Sequence, residues 1–365
     1  MQTVHFLYPG SLAMRTGGTI YDRRIVEGLR ESGWQVHAQS LGEGFPFPDA
    51  ATMTQARARV ESLPDDSLVL VDGLAFGVLD ATATEHAARL RWIALVHHPL
   101  ALEAGLRPSQ QQALLGSERR ALGTARGVIV TSPGTVDDLT PYDVDRQHVR
   151  VVLPGTDRAA LSAGTAQVSL ETPLQLLCVA SITPRKAHAV LVEALAGLKD
   201  RHWHLHCAGS EQMDAACAAQ LRAAIESHGL AERVTMHGEQ DDDGLARRYA
   251  AADVFVLPSL HEGYGMALAE ALARGLPIVS TRAGAIPGTV PPDAGMLVPP
   301  GDVPALRAAL ARVMDDAAWR SRLHAGAVAA RHALPDWRQS AERFALALQD
   351  FAKAPLRSAT TGANA

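Results

Sequence analysis

Apolar and polar positions alternate along this chain on two length scales. Short runs in which almost every residue is apolar, "VHFLY", "WQVHA", "LVLVDG", "WIALVHH", "GVIVTS" and "VRVVLPG", punctuate the first half, with longer amphipathic stretches between them. A strand covered on both faces reads as a continuous apolar run, so this rhythm predicts a parallel sheet flanked by helices. A Ser/Gly/Thr-rich passage, "LSAGTAQVSLETP" from Leu161 to Pro173, interrupts it, and the rhythm restarts with "LQLLCVA", "WHLHCAG", "RVTMHG", "DVFVLP", "PIVST" and "GMLVP". The prediction is an α/β protein of two Rossmann-like, doubly wound domains, residues 1–165 and 166–352, with the last helix, about 336–352, returning to pack on the first domain. Residues 353–365 are small and polar and predict a disordered tail. Ligands of doubly wound sheets sit at the carboxyl ends of the strands, so a site drawing on both halves is expected.

Composition narrows the function classes. A formal net charge of -5 gives none of the basic field that duplex nucleic acid demands. The start, "MQTVHFLYPG", has neither a basic segment nor a long apolar core, and no run approaches the roughly 20 apolar residues of a membrane span. A soluble cytoplasmic protein is expected. Cys178, Cys207 and Cys217 are odd in number and include no Cys-x-x-Cys pair, which predicts reduced, structural thiols.

The densest chemistry lies in "HEGYGMALAE", residues 261–270, between the apolar runs "DVFVLPSL" and "PIVS". A strand-loop-helix reading places Gly263 and Gly265 in a tight turn and a helix from about Met266 to Arg274, stopped by Gly275. Glu270 then lies one turn inside that helix. Glu262 stays in the loop, beside a helix start whose free N–H groups and dipole favour an anionic ligand.

The block from "RVTMHG" to "AGAIPGTV" resembles the donor-binding domain of the retaining GT-B glycosyltransferases, and of family 4 in particular. That family carries a Glu, seven residues and a second Glu with Gly-aromatic-Gly between them, and Glu262, Gly263-Tyr264-Gly265 and Glu270 match all of it. Upstream, Arg185 and Lys186 match an Arg-Lys pair in the family's strand-loop-helix, and "HCAGS" matches a strand ending in glycine, here Gly209. "GMLVPPGDVPALRAAL" and "DWRQSAERF" resemble its closing segments, so the likeness covers roughly Gln175 to Phe351. In the first half it rests on "RTGGTIYDRRIVEGLRESGWQVH", on the His pair after a strand, and on "VIVTSPGTVDDL". Where the family often has Asn-Gly-x-Asp, this chain has Pro154-Gly155-Thr156-Asp157. The resemblance implies a GT-B fold and front-face transfer with no established protein nucleophile.

The chemistry of such a transfer is to stabilise a departing diphosphate and an oxocarbenium-like sugar. Arg185 and Lys186 offer fixed charge, and the backbone N–H groups of Gly265, Met266 and Ala267 offer a dipolar cradle, so no divalent metal and no other cofactor is expected. Only Lys186, Lys199 and Lys353 are lysines, which singles out the first; the plain alternative is a solvated charge pair. Glu270 suits the two ribose hydroxyls of a nucleotide, or is an exposed helical glutamate. Glu262 could contact donor-sugar hydroxyls, stabilise charge at the anomeric carbon or cap the helix; sugar contact is the favoured reading. Gly209 and Gly238, each closing a strand, are further donor-side candidates.

In the first half, Gly17 and Gly18 stand between a strand and the helix "YDRRIVEGLRE", as a ligand loop or a simple turn. His97 and His98 end "WIALV", where an imidazole could bond a sugar hydroxyl or assist acceptor deprotonation; the alternative is structural hydrogen bonding, and strand alternation leaves open which one faces the ligand. His202, His204 and His206 alternate in "RHWHLHC", but the ends of that triplet are roughly 13 Å apart on a strand, and a polar strand edge is expected rather than a metal site. The expected function is metal-independent, retaining transfer from a nucleotide-diphosphate sugar to the hydroxyl of a small-molecule, glycan or lipid acceptor. Two alternatives are a sugar-nucleotide-binding protein without transfer and an epimerase or phosphorylase of the same fold.

Overall fold

The computed structural model describes residues 2–163 and 172–353. Every apolar run named above forms a strand. The first six are β1 (Thr3–Tyr8), β2 (Gln35–Ser40), β3 (Leu68–Asp72), β4 (Arg91–Val96), β5 (Gly127–Val130) and β6 (Val149–Val151). They make one parallel sheet in the order β2-β1-β3-β4-β5-β6. The second sheet is built from β7 (Leu174–Val179), β8 (Trp203–Ala208), β9 (Val234–Met236), β10 (Val254–Leu257), β11 (Ile278–Thr281) and β12 (Gly295–Val298). Its order is β12-β11-β10-β7-β8-β9, again all parallel.

The central strands are buried throughout because helices cover both faces, leaving no polar side to the sheet. β3 and β10 have no exposed residue. Trp92, Val69 and Phe76 centre the first core, and Trp203, Tyr249 and Phe255 the second. In each sheet the chain winds outward from one strand and then returns to its other side, β1 beside β3 and β7 beside β10. The connecting loops part at these two points, where doubly wound sheets carry their ligand crevice at the carboxyl ends of the strands.

The chain divides into one unit reaching to Gly155 and rejoined by the helix from Trp337, and a second unit, Thr156–Asp336. The division falls ten residues ahead of the boundary read from composition, at residue 165, which lies with 164–171 outside the described residues. The tail 354–365 lies outside them too. Helix Trp337–Lys353 packs on helix Gly17–Glu31, where a Cβ on Gly28 would stand 2.4 Å from that of Ala341. Phe351 occupies the space beside Gly127, and Ser340 Oγ donates to the Leu153 carbonyl at 2.7 Å. No helix among the described residues is long and apolar enough to cross a membrane.

Candidate active site

The predicted donor-side residues gather at the β7/β10 crevice of the second unit. β7 feeds a turn at Pro184–Lys186, and β10 feeds the loop from Ser259 to Gly265. The loops are stitched by backbone: the Leu260 N–H donates to the Arg185 carbonyl at 2.8 Å. Arg185 Nη1 donates to the His261 carbonyl at 3.0 Å and stands 3.6 Å from Glu262 Oε2. Lys186 Nζ lies 2.5 Å from Glu262 Oε1, which also accepts from Ser259 Oγ at 2.6 Å. Glu262 is thereby clamped by two cations and a hydroxyl. Burial alone would raise its carboxyl, but Lys186 and Arg185 outweigh that and hold it down at about 2. The favoured reading of Glu262 put it on the sugar; its position makes it first the anchor of the Arg-Lys pair, since both carboxylate oxygens are engaged there.

The loop behind Glu262 is braced from its main chain. Ala285 N–H donates to the Glu262 carbonyl at 2.8 Å, and Gly284, at φ +52, comes so close that a Cβ would stand 2.3 Å from that oxygen. Thr289 Oγ1 donates to the Tyr264 carbonyl at 2.7 Å. Tyr264 itself is nearly buried, and burial pushes its phenol up to about 12.

Gly265 carries the left-handed turn at φ +87 and starts helix Met266–Ala273 with no side-chain cap. The N–H groups of Met266 and Ala267 therefore stand outside the helical ladder, as in an anion cradle. Glu270 points from the next turn, and Tyr249 OH donates to its Oε2 at 2.9 Å. Burial raises the Glu270 carboxyl from its ordinary value. The orienting role of Tyr249 was not legible in the sequence, where it reads as one apolar position of an amphipathic helix. Arg274 stacks 4.3 Å over the Tyr249 ring and fixes it further. Gly209 and Gly238 meet at the ends of β8 and β9, the first donating its N–H to the second's carbonyl at 2.9 Å. A Cβ on Gly209 would fall 2.0 Å from the Ala180 carbonyl oxygen, so only glycine lets the β8 loop approach the β7 loop.

In the first unit the crevice lies between β1 and β3. Helix Gly17–Glu31 begins four residues before the predicted "YDRRIVEGLRE", because Thr16 caps it by accepting from the Thr19 N–H at 3.2 Å. Gly17 and Gly18 are thus its first turn, not a loop. A Cβ on Gly18 would sit 3.3 Å from the His97 ring. The two histidines part company: His98 Nε2 turns to Glu103 Oε2 at 3.2 Å, whereas His97 Nε2 faces Asp22 Oδ1 at 3.1 Å and Asp72 Oδ2 at 3.4 Å. Neither aspartate was singled out from the sequence. Among the described residues, Asp22, Asp72 and His97 form one group whose ligand atoms lie within 4.8 Å of one another, a spacing that would also suit a metal ion. His204 and His206 lie on one face of β8 and bond Thr235 Oγ1 at 2.8 Å and His237 Nε2 at 3.0 Å.

The chain superimposes on sucrose-phosphate synthase from Thermosynechococcus elongatus with a TM-score of 0.81 over 97% of this chain and 100% of that one, at 24% identity. The fold is GT-B. A second GT-B structure, Anabaena HepE in complex with UDP-glucose, superimposes with a TM-score of 0.73 over 95% of this chain and 99% of that one, at 16% identity. Residues 173–316 of this GT-B chain match the family model of glycosyl transferases group 1. The D-inositol 3-phosphate glycosyltransferase of Salinispora tropica is 32% identical over 275 residues, 67% of this chain and 57% of that protein. The MMP alpha-(1->4)-mannosyltransferase of Mycolicibacterium hassiacum is 28% identical over 290 residues, 74% of this chain and 67% of its own length. The chain thus spans less than two thirds of the first of these relatives.

Proposed function

We propose that this protein is a retaining glycosyltransferase of family 4, moving a sugar from a nucleotide-diphosphate sugar to a hydroxyl acceptor without a metal ion, in the cytoplasm. One observation carries the reading: Arg185, Lys186 and the uncapped helix start at Met266 lie on the two loops of a single crevice, joined through Glu262. That arrangement offers two fixed cations and a set of N–H dipoles to one diphosphate. Glu270, oriented by Tyr249, offers its carboxylate to the ribose hydroxyls. Glu262 holds the cations at a fixed spacing and keeps the donor-sugar contact as a second role. The relatives support the reaction class, since those named above are glycosyltransferases and HepE is seen with UDP-glucose. The retaining outcome rests on the Glu-seven-Glu resemblance.

Titration calorimetry against a panel of nucleoside diphosphates and their sugars, followed by release of free sugar on long incubation, tests the proposal. A transferase leaks sugar to water slowly; a binding protein releases none. An epimerase would interconvert the donor sugar, and a phosphorylase would need inorganic phosphate. Nuclear magnetic resonance of the glycosylated product reads the anomeric configuration, and inversion would remove the retaining assignment.

A further inference from the structure

Residues 22, 72 and 97 are far apart in the chain, and the sheet order β1-β3-β4 brings them together. Asp72 closes β3, opposite Leu95 of β4, and caps the following short helix by accepting from the Leu74 N–H at 2.7 Å with its other oxygen. Asp22 comes from helix Gly17–Glu31. Both aspartates are buried, at 3% and 5% exposure, and both direct an oxygen at the same ring nitrogen of His97. The ring is packed on two sides: it lies against Gly18 and meets Tyr21 edge-on at 5.4 Å between centroids, while the main-chain carbonyl of His97 accepts from Thr131 Oγ1 at 3.3 Å.

Two ionised, buried carboxylates against a neutral imidazole would leave a net charge of minus two with little water to solvate it, which is strongly unfavourable. Protons relieve it. Protonating the imidazole places a positive charge between the carboxylates, and sharing a further proton between the aspartates brings the group to neutrality. The individual groups follow that pattern. Burial would lower His97, but Asp22 and Asp72 carry it up to about 10. Burial and the neighbouring Asp72 raise Asp22 to about 7, while Asp72 is lowered against its own burial by hydrogen bonds from His97 and Asp22. Among the described residues, the titratable groups facing the ring are Asp22 and Tyr21 from helix Gly17–Glu31 and Asp72 from the end of β3; the Tyr21 hydroxyl is turned to the Val152 carbonyl at 3.0 Å.

We infer that Asp22 and Asp72 are positioning residues that keep His97 doubly protonated, so that it meets a ligand as a charged Nδ1–H donor to a phosphate or hydroxyl oxygen and not as a base. This rests on the proposed transferase only for the identity of the ligand. It replaces one sequence expectation, that an imidazole here assists acceptor deprotonation: a ring that already holds both protons has no lone pair to receive another.

Nitrogen-15 resonances of the histidine rings in the full chain test it, with the His97 signals assigned by their loss in His97→Gln. At pH 8 both His97 nitrogens should show imidazolium shifts. In Asp22→Asn and Asp72→Asn the midpoint should fall by more than about one pH unit, and in the double variant it should approach the ordinary histidine value near 6.5. A wild-type His97 that is neutral at pH 8 would overturn the inference, with no variant needed. So would a His97 signal that shifts with micromolar zinc and is restored by chelator, because an ion and not a proton would then fill the group. If transfer is measurable, kcat should be level from pH 6 to 8.5 and lose its alkaline side first in the Asp72→Asn variant. Imidazolium shifts in a protein that transfers no sugar would leave this inference standing and remove the proposed reaction.

Discussion

Lys186 Nζ and Glu262 Oε1 stand 2.5 Å apart although 76 positions separate the two residues in the chain. Each comes from a loop on its own side of the β7/β10 crevice, so the ion pair is a brace across it as well as a charge. The pair is largely buried, with side-chain exposures of 18% and 7%.

If Lys186 stabilises the departing diphosphate as proposed, replacing it by Ala should slow transfer about a hundredfold to a thousandfold. Steady-state kinetics with the donor found by calorimetry gives the number. Activity within a fewfold of the wild type would end the assignment.

Glu262→Ala leaves two cations facing each other in a buried site, and stability should fall by about 3 kcal/mol. Replacing Lys186 and Glu262 together by Met should cost much less than the sum of the single changes. Urea denaturation of all three variants decides this, and simple additivity would mean the pair is not coupled.

Glu270→Ala should weaken a free nucleoside diphosphate and its sugar conjugate alike, by about 1.5 to 3 kcal/mol. Tyr249→Phe, which removes only the orienting hydrogen bond, should cost about 1 kcal/mol on the same two ligands. A loss confined to the sugar conjugate would move Glu270 from the ribose to the sugar.

Glu118 is buried beside Gly77, its Oε2 accepting from the Leu100 N–H at 2.9 Å, and burial raises its carboxyl from 4.5 to about 8. Below pH 4.5 both folded and unfolded chains hold that proton. Between there and pH 8 the unfolded chain loses it first, so this group's contribution to stability should decline with rising pH, by up to about 1.4 kcal/mol per unit. Glu118→Gln should flatten that slope. Denaturation midpoints at pH 5, 6.5 and 8 that fall equally in both proteins would refute it.

If protein groups meet the diphosphate charge as proposed, chelation by EDTA should leave transfer unchanged. Activity lost in EDTA and restored by manganese or magnesium would show that an ion takes part.

The strands and the Glu262–Glu270 loop were legible because each is encoded locally. A fully covered strand must be apolar at every position, as "VFVL" is, and a helix that starts on a left-handed residue needs glycine there, as at Gly265. Partnerships across the sheet were not. Asp22, Asp72, Glu118 and Tyr249 look like ordinary members of a helix or strand, and only the crossing order of the strands gives them their neighbours. The start of helix Gly17–Glu31 was misplaced because two glycines read as a loop, whereas the Thr16 cap outweighs their weak helix propensity.

Helix Trp337–Lys353 belongs to the packing of the first unit but is the last described helix to leave the ribosome. The second unit, Thr156–Asp336, is contiguous and can condense while synthesis continues. The first keeps the faces around Gly28 and Gly127 uncovered until Ala341 and Phe351 emerge. During translation the amino-terminal half is therefore the later of the two to have all its packing partners available.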